Sequence, residues 1–230
     1  MSAGKADGSP LLSIEKVDKS YGKQRVLDCV SLCIERAERV AIMGPSGSGK
    51  STLLNCLAGL EVPDSGKISF LGRELSELGE AEVTRLRRES LTSIFQFFHL
   101  LPTLSARENV EFPLLLRKDP KKERDAKVEA LLEEVGLVHR AEASPSELSG
   151  GEMQRLAIAR ALITEPALIL ADEPTGSLDS KNSDRILALL QQLTERHQTG
   201  LLMVTHDADA SGICTRVLQM HDGQLKENDL

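Results

Sequence analysis

A chain of 230 residues, 40% hydrophobic and 27% charged, is long enough to bury a full core as one large domain, or as one domain with a subdomain. Its mean hydropathy is −0.18, and no apolar run approaches the roughly 18 residues of a membrane-crossing helix, which excludes an integral helical membrane protein. Lys plus Arg number 28 against 35 Asp plus Glu, and the resulting charge of −7 argues against nucleic acid as a partner.

Four cysteines with no C-x-x-C spacing make neither a disulfide framework nor a zinc site, so reduced and mostly buried thiols are expected. The segment Met1–Pro10 lacks the apolar stretch of a secretory signal and reads as a short flexible tail. From Leu11 onward, Leu12, Ser13, Ile14, Glu15, Lys16 and Val17 alternate as a half-buried strand does, and a turn at Tyr21-Gly22-Lys23 leads to a second strand over Val26–Ile34. Three short apolar runs follow: Arg39–Met43 stopped by Gly44, Leu168–Ala171 stopped by Asp172-Glu173-Pro174, and Leu201–Val204 stopped by Thr205-His206-Asp207. Apolar residues at every position suit strands covered on both faces, as in a parallel sheet. Helical spacing appears at Val128, Leu131, Leu132 and Val135, with Gly136 as a stop, and at Ile186, Leu189, Leu190 and Leu193. Alternating strands and helices predict an α/β domain over 11–230 with a mostly parallel sheet. Its core is expected over 11–90 and 161–230, with an inserted helical subdomain at about 91–160.

Gly44-Pro45-Ser46-Gly47-Ser48-Gly49-Lys50-Ser51-Thr52 fits G-x-x-x-x-G-K-[ST]. Glycines let the backbone wrap a phosphate with its amides pointing inward, Lys50 supplies a cation to the β/γ oxygens, and the Ser51 hydroxyl can ligate Mg²⁺. The loop stands between a strand-like run and a helix, whose N-terminal dipole adds to the anion site. Asp172 and Glu173 follow a strand at the sheet edge where ligands bind. Beside a phosphate loop they read as a Mg²⁺ carboxylate, acting through water, and a group that polarises the attacking water. Ser149-Gly150-Gly151-Glu152 has the spacing of a capping box at a helix start. It also reads as a second anion site of bare glycine amides and a hydroxyl, and the two readings compete for the Ser149 hydroxyl.

With these residues in place, Leu148–Glu152 resembles the signature motif of the ATP-binding-cassette (ABC) ATPases, and further motifs fall in the family's order. Tyr21 resembles the aromatic that stacks on adenine. Gln96 resembles the glutamine that senses Mg²⁺ and the attacking water. Ser177-Leu178-Asp179 resembles the D-loop, and His206 the histidine that contacts the γ-phosphate. The resemblance covers nearly all of 11–225, with Met153 where glutamine is common and Ser177 where asparagine or alanine is common. It implies a P-loop NTPase (RecA-like) core with an antiparallel β subdomain and an inserted helical subdomain. It implies ATP and Mg²⁺ as cofactors. It also implies a head-to-tail homodimer on ATP binding, each nucleotide lying between one chain's loop and the other's signature.

The segments Phe95–Leu104 and Glu108-Asn109-Val110 resemble the subgroup that serves lipoprotein-release and macrolide-efflux complexes. That implies separate integral membrane permease subunits and a peripheral place on the cytoplasmic face of the inner membrane. A chain stopping at Leu230 resembles the type not fused to its membrane domain. An ABC ATPase acting on DNA or ribosomes would carry long coiled coils or two cassettes, and one phosphate loop is present. A regulatory cassette would lack Glu173 or His206. Four of the five phenylalanines fall between 95 and 112. Phe95 is expected to end a core strand, and Phe97–Leu101 to wall a groove for a helix of the membrane subunit.

Overall fold

The computed structural model describes residues 9–227, so residues 1–8 of the expected tail lie outside the described residues. The chain opens with β1 (Leu12–Tyr21) and β2 (Gln24–Ile34), and β3 (Arg39–Met43) leads into α1 (Lys50–Leu57). Next come β4 (Ser65–Phe70), β5 (Arg73–Glu74), α2 (Glu80–Glu89) and β6 (Leu91–Phe95), followed by α3 (Ala106–Arg117), α4 (Lys121–Glu134) and α5 (Gly150–Leu162). The remainder is β7 (Leu168–Asp172), α6 (Ser180–His197), β8 (Gly200–Thr205), α7 (Ala208–Ser211), β9 (Arg216–His221) and β10 (Gln224–Glu227).

Two sheets result. One is four-stranded in the order β2-β1-β4-β5, and the other six-stranded in the order β10-β9-β3-β8-β7-β6. The first is antiparallel throughout. In the second, β9, β3, β8, β7 and β6 run parallel and only β10 is antiparallel. This is the α/β architecture expected, with its antiparallel β subdomain.

The strands that read as uninterrupted apolar runs separate two hydrophobic cores. Ile169, Ala171, Leu201 and Met203 face a core built with α3, α4, α5 and α6. Leu168, Leu170, Leu202 and Val204 face the other, shared with α1 and the antiparallel sheet. Side chains alternate across a strand, so a strand covered on both faces has no polar position left. Each fully buried side chain of this kind contributes on the order of 1.5–3 kcal/mol.

Two expectations change. The inserted helical segment, expected from about 91, starts later: Leu91–Phe95 is a strand paired in parallel with β7, ending at Phe95 as expected. Leu91 and Ile94 are buried, while the half-exposed Thr92 and Ser93 between them break the apolar run that marked the other strands. The helical part of the segment begins with α3. There Ser105 and Glu108 close a capping box, and the buried amide of Asn109 ties back the carbonyls of Leu101, Leu104 and Ser105. The thiols are also less buried than expected: Cys29 and Cys33 are exposed, Cys56 is buried and Cys214 is half-buried. Cys29 and Cys33 fall on the solvent side of β2, where Val30, Leu32 and Ile34 take the inward positions. Burial pushes the Cys56 thiol up to about 11 and the Cys214 thiol up to about 12, so both stay neutral.

Asp18 joins three strands. Its carboxylate accepts from the Cys29 amide at 2.9 Å and from Ser65 Oγ at 2.7 Å, and it pairs with Arg25. The Arg25 guanidinium first, then Ser65 and the Cys29 amide, hold its pKa down at about 2. A carboxylate stronger in the fold than in the unfolded chain stabilises fully above the ordinary value of about 4, and that stabilisation is lost as pH falls towards 2. Asp18→Asn should therefore lower the unfolding free energy by about 1–2 kcal/mol at pH 7. Urea unfolding of both proteins at pH 7 and pH 3 should show the difference narrowing in acid.

Candidate active site

The glycine loop runs from the end of β3 into α1. A Cβ at Gly44 would lie 2.2 Å from the carbonyl oxygen of Met220, so only glycine lets the loop leave the sheet here. Helix α1 begins with neither a side-chain cap nor an acidic residue in its first turn. Its first amides are therefore free to receive an anion. Pro45, Ser46 and Gly47 are exposed, while Ser48, Gly49 and Lys50 are buried. The Lys50 ammonium curls back over the loop and donates to the carbonyls of Gly44 at 2.8 Å and Pro45 at 2.9 Å. Burial lowers its pKa, and the charges of Glu173 and Asp172 act against that shift. A cleft of about 200 Å³ opens here between Val26, Ser46, Gly47, Gly49, Lys50, Ser51, Thr52 and Glu173.

Strands β7 and β8 bring the remaining polar groups to the same edge. Asp172 ends β7, half-buried. Burial raises its pKa, while a hydrogen bond with Ser51 and the charge of Lys50 oppose the rise. One residue on, Glu173 takes a left-handed backbone with φ of 45°, a conformation that costs a residue with a β-carbon about 1–3 kcal/mol. Its amide is held by the Val204 carbonyl at 2.9 Å. Its Oε1 pairs with His206 Nδ1, also at 2.9 Å. Gln96, just beyond β6, reaches the same place: a Cβ at Gly176 would lie 2.8 Å from Gln96 Nε2 and 3.2 Å from Glu173 Oε2. The hydroxyl of Ser177 donates to the Gln96 carbonyl at 2.7 Å, a bond that an alanine at this position would forgo. Tyr21, half exposed at 49%, stands at the end of β1. Its hydroxyl bonds to Glu61, which also accepts from Asn55 Nδ2 at 3.1 Å.

Ser149, Gly150 and Gly151 are not brought to this cleft. Ser149 Oγ and the Ser149 amide both donate to Glu152 Oε2, at 2.7 and 2.8 Å, so the capping box is closed. A Cβ at Gly150 would meet Leu178 and Phe98, and one at Gly151 would meet Asn182 and Arg155, none of them in the phosphate loop. The phenylalanine segment divides. Phe97 is 68% exposed, Leu100 packs on the helical core, and Arg160 holds the carbonyls of Phe98 at 3.0 Å and His99 at 2.6 Å. A nearby groove of about 290 Å³ is walled by Thr84, Arg87, Arg88, Thr92, Pro113, Leu116, Arg160 and Thr164, with none of residues 97–101 among them. Arg160 is the link between that groove and the segment after Gln96. Sequence reasoning also missed Val26, an ordinary apolar residue of a strand that carries no local sign of lining a cleft.

The residues present suit a nucleotide with a hard cation. The helix start is uncapped, an ammonium lies over the loop, and the Ser51 hydroxyl lies near enough to act on the Asp172 carboxylate, oxygen donors of the kind Mg²⁺ takes. A glycine loop between a parallel strand and a helix, with carboxylates at the end of the next strand but one, defines a P-loop nucleoside triphosphatase. Residues 27–176 match the family described as ABC transporter, and the chain belongs to that family.

The lipoprotein-releasing system ATP-binding protein LolD of Xanthomonas campestris pv. campestris is 45% identical over 96% of this chain and 94% of that protein. The protein of the same description from Alcanivorax borkumensis is 43% identical over 96% of this chain and 98% of its own length. Among solved structures, an ATP-binding cassette in a dimeric post-hydrolysis state bound to ADP and Pi superposes with a TM-score of 0.84 at 37% identity, over 94% of this chain and 98% of that one. The cbiO1 protein of Clostridium perfringens, part of an ABC transporter complex, gives a TM-score of 0.87 at 29% identity, over 95% of this chain and 87% of that one. The chain is an ABC ATPase that binds ATP with Mg²⁺ and hydrolyses it. Among the described residues no helix is long and apolar enough to cross a membrane.

Proposed function

We propose that this chain is the ATP-hydrolysing subunit of a membrane complex of the lipoprotein-release type, closing as a head-to-tail homodimer around two ATP. The observation that carries the dimer is the separation of two anion-binding helix starts within one fold. Lys50 and the loop amides meet one another in a single cleft, whereas Gly150 and Gly151 neighbour Leu178, Phe98 and Asn182. A second copy turned end to end supplies the missing half of each site.

In this reading the amides of residues 46–49 and Lys50 hold the phosphates, and Ser51, Asp172 and Gln96 hold Mg²⁺, Asp172 through water. Bound Mg²⁺ neutralises charge on the transferring phosphoryl group. Glu173 takes the proton of the attacking water, Gln96 orients that water, and His206 fixes the carboxylate through its 2.9 Å bond before turning to the γ-phosphate. Gly150, Gly151 and Ser149 of the partner copy close over the γ-phosphate. That last role requires the Ser149 hydroxyl to exchange its bond to Glu152 for a phosphate oxygen.

Complementation tests the arrangement. Lys50→Ala and Ser149→Arg chains should each be inactive alone, and mixing them should restore hydrolysis, because the mixed dimer holds one intact loop facing one intact signature. No recovery on mixing, with mixed dimers shown by mass photometry, would contradict the shared site. Tyr21→Ala should weaken ATP binding by about 1–2 kcal/mol, the scale of aromatic stacking on a base, and leave inorganic triphosphate binding unchanged. Tyr21→Phe, which keeps the ring and loses only the bond to Glu61, should lose less. Fluorescence titration with both ligands checks this.

The separate permease subunits are expected at the groove between α2 and α3, on the cytoplasmic face of the inner membrane. Leu116 is 48% exposed there, and Arg160 connects the groove to the loop that follows Gln96. Leu116→Glu should abolish co-purification with the permease subunits while basal ATPase activity persists. Retained co-purification would move the contact elsewhere.

A further inference from the structure

The glycine loop is braced by the opposite end of the chain. Strands β9 and β10 are joined by Asp222-Gly223, with φ of 48° and 78°, the paired left-handed conformation of a two-residue type I′ hairpin. The tip of this hairpin is wedged between the phosphate loop and β2. The Gly223 amide donates to the Ser48 carbonyl at 3.1 Å, and the Gly223 carbonyl accepts from the Asp28 amide at 2.9 Å. Gln224 Nε2 donates to Asp28 Oδ2 at 2.6 Å, and Arg25 pairs with the other Asp28 oxygen at 2.7 Å. The three pieces leave no slack. A Cβ at Gly223 would lie 2.5 Å from the Val26 carbonyl oxygen, and one at Gly49 would lie 2.6 Å from that same oxygen. Val26 in turn lines the phosphate-loop cleft. The Ser48 hydroxyl is buried without a partner, so the turn bonds a residue whose own side chain anchors nothing.

We propose that the Asp222-Gly223 turn is a positioning element for ATP. It sets the curvature of residues 44–49 and their spacing from β2 without touching the nucleotide. Loop amides bind a phosphate well only when they converge on one centre. A loop fixed solely at its two ends, by β3 and α1, retains freedom that binding must remove. A hydrogen bond at Ser48 from a hairpin itself fastened to β2 removes that freedom beforehand, and preorganisation of this kind appears as affinity. The role holds only if residues 46–49 bind the phosphates, as proposed above.

The test compares Gly223→Ala with Gly72→Ala. Gly72 lies in the turn between β4 and β5 with φ of 73°, and a Cβ there meets nothing within 4 Å. It carries the same backbone penalty without reaching the loop. Both variants should lower the melting temperature. Only Gly223→Ala should weaken binding of a fluorescent ATP analogue, by about tenfold, the scale of one lost hydrogen bond and its ordering. Its KM for ATP should rise more than its kcat falls. If Gly223→Ala does not fold, Gln224→Ala, which cuts the tether to Asp28, should show roughly two- to threefold weaker binding at near-native stability. Wild-type affinity in the folded member of this pair, or an equal loss in Gly72→Ala, would overturn the proposal. Lys50→Ala run alongside separates the two failures. Full binding by Lys50→Ala would overturn the phosphate-loop assignment, whereas its loss with Gly223→Ala unaffected would overturn only the role of the turn.

Discussion

Glu173→Gln should bind MgATP with near-wild-type affinity and hydrolyse it at least about 100-fold more slowly, the lower end of what a positioned general base contributes. The substitution keeps the size of the side chain and its reach to His206 Nδ1, now 2.9 Å from the carboxylate, but an amide cannot take a proton from water. The backbone at this residue is held in its left-handed conformation by the Val204 carbonyl and by its place at the sheet edge, so the variant side chain starts from the same point. Pro174, next in the chain, has its carbonyl bonded by the fully buried Gln154 at 2.6 Å, which fixes the segment to α5 and leaves little room to compensate by moving. With hydrolysis blocked and ATP bound, the closed dimer should accumulate. Single-turnover kinetics and light scattering with MgATP check both halves. Hydrolysis within a few-fold of wild type would remove Glu173 from the role of base.

The second large effect is expected at Lys50. Lys50→Ala should weaken ATP binding by about 2–5 kcal/mol, the cost of truncating one member of a desolvated charge contact. That is roughly 30-fold to several thousand-fold in affinity. The ammonium is buried in the loop with two carbonyl acceptors. Burial lowers its pKa, but Glu173 and Asp172 lie close enough to oppose the shift, so the charge that meets the phosphates is sustained by carboxylates across the site. Lys50→Arg should fail nearly as badly, because a planar guanidinium cannot occupy the same turn as a compact ammonium. Calorimetric titration with ATP, together with thermal unfolding to show an intact fold, measures the effect. Near-wild-type affinity in Lys50→Ala would overturn the assignment of residues 46–49 to the phosphates.

Sequence alone determined the parts of this protein whose physics is local. The glycine loop could be read because a phosphate needs a short run of backbone amides turned inward, and glycines at set spacing allow it. Strands β3, β7 and β8 could be read because a strand covered on both faces has no polar position, and the capping box at Ser149 because its partners are three residues apart. Other features depend on residues far apart in the chain.

Of strand β6 only the end at Phe95 could be read, since Thr92 and Ser93 lie between its two buried residues and pairing with β7 makes the rest a strand. Helix α2 buries a single residue, Leu86, and carries no apolar stripe to announce it. The exposure of Cys29 and Cys33 was decided by the register of β2 against β1, where Cys33 stands opposite Ser13. The tertiary structure also separated the signature glycines from the phosphate loop and set Val26 and the Asp222-Gly223 turn against it. Periodicity and spacing record which face of an element is buried, but carry no term for the surface that buries it. That surface comes from elements folded together out of distant segments.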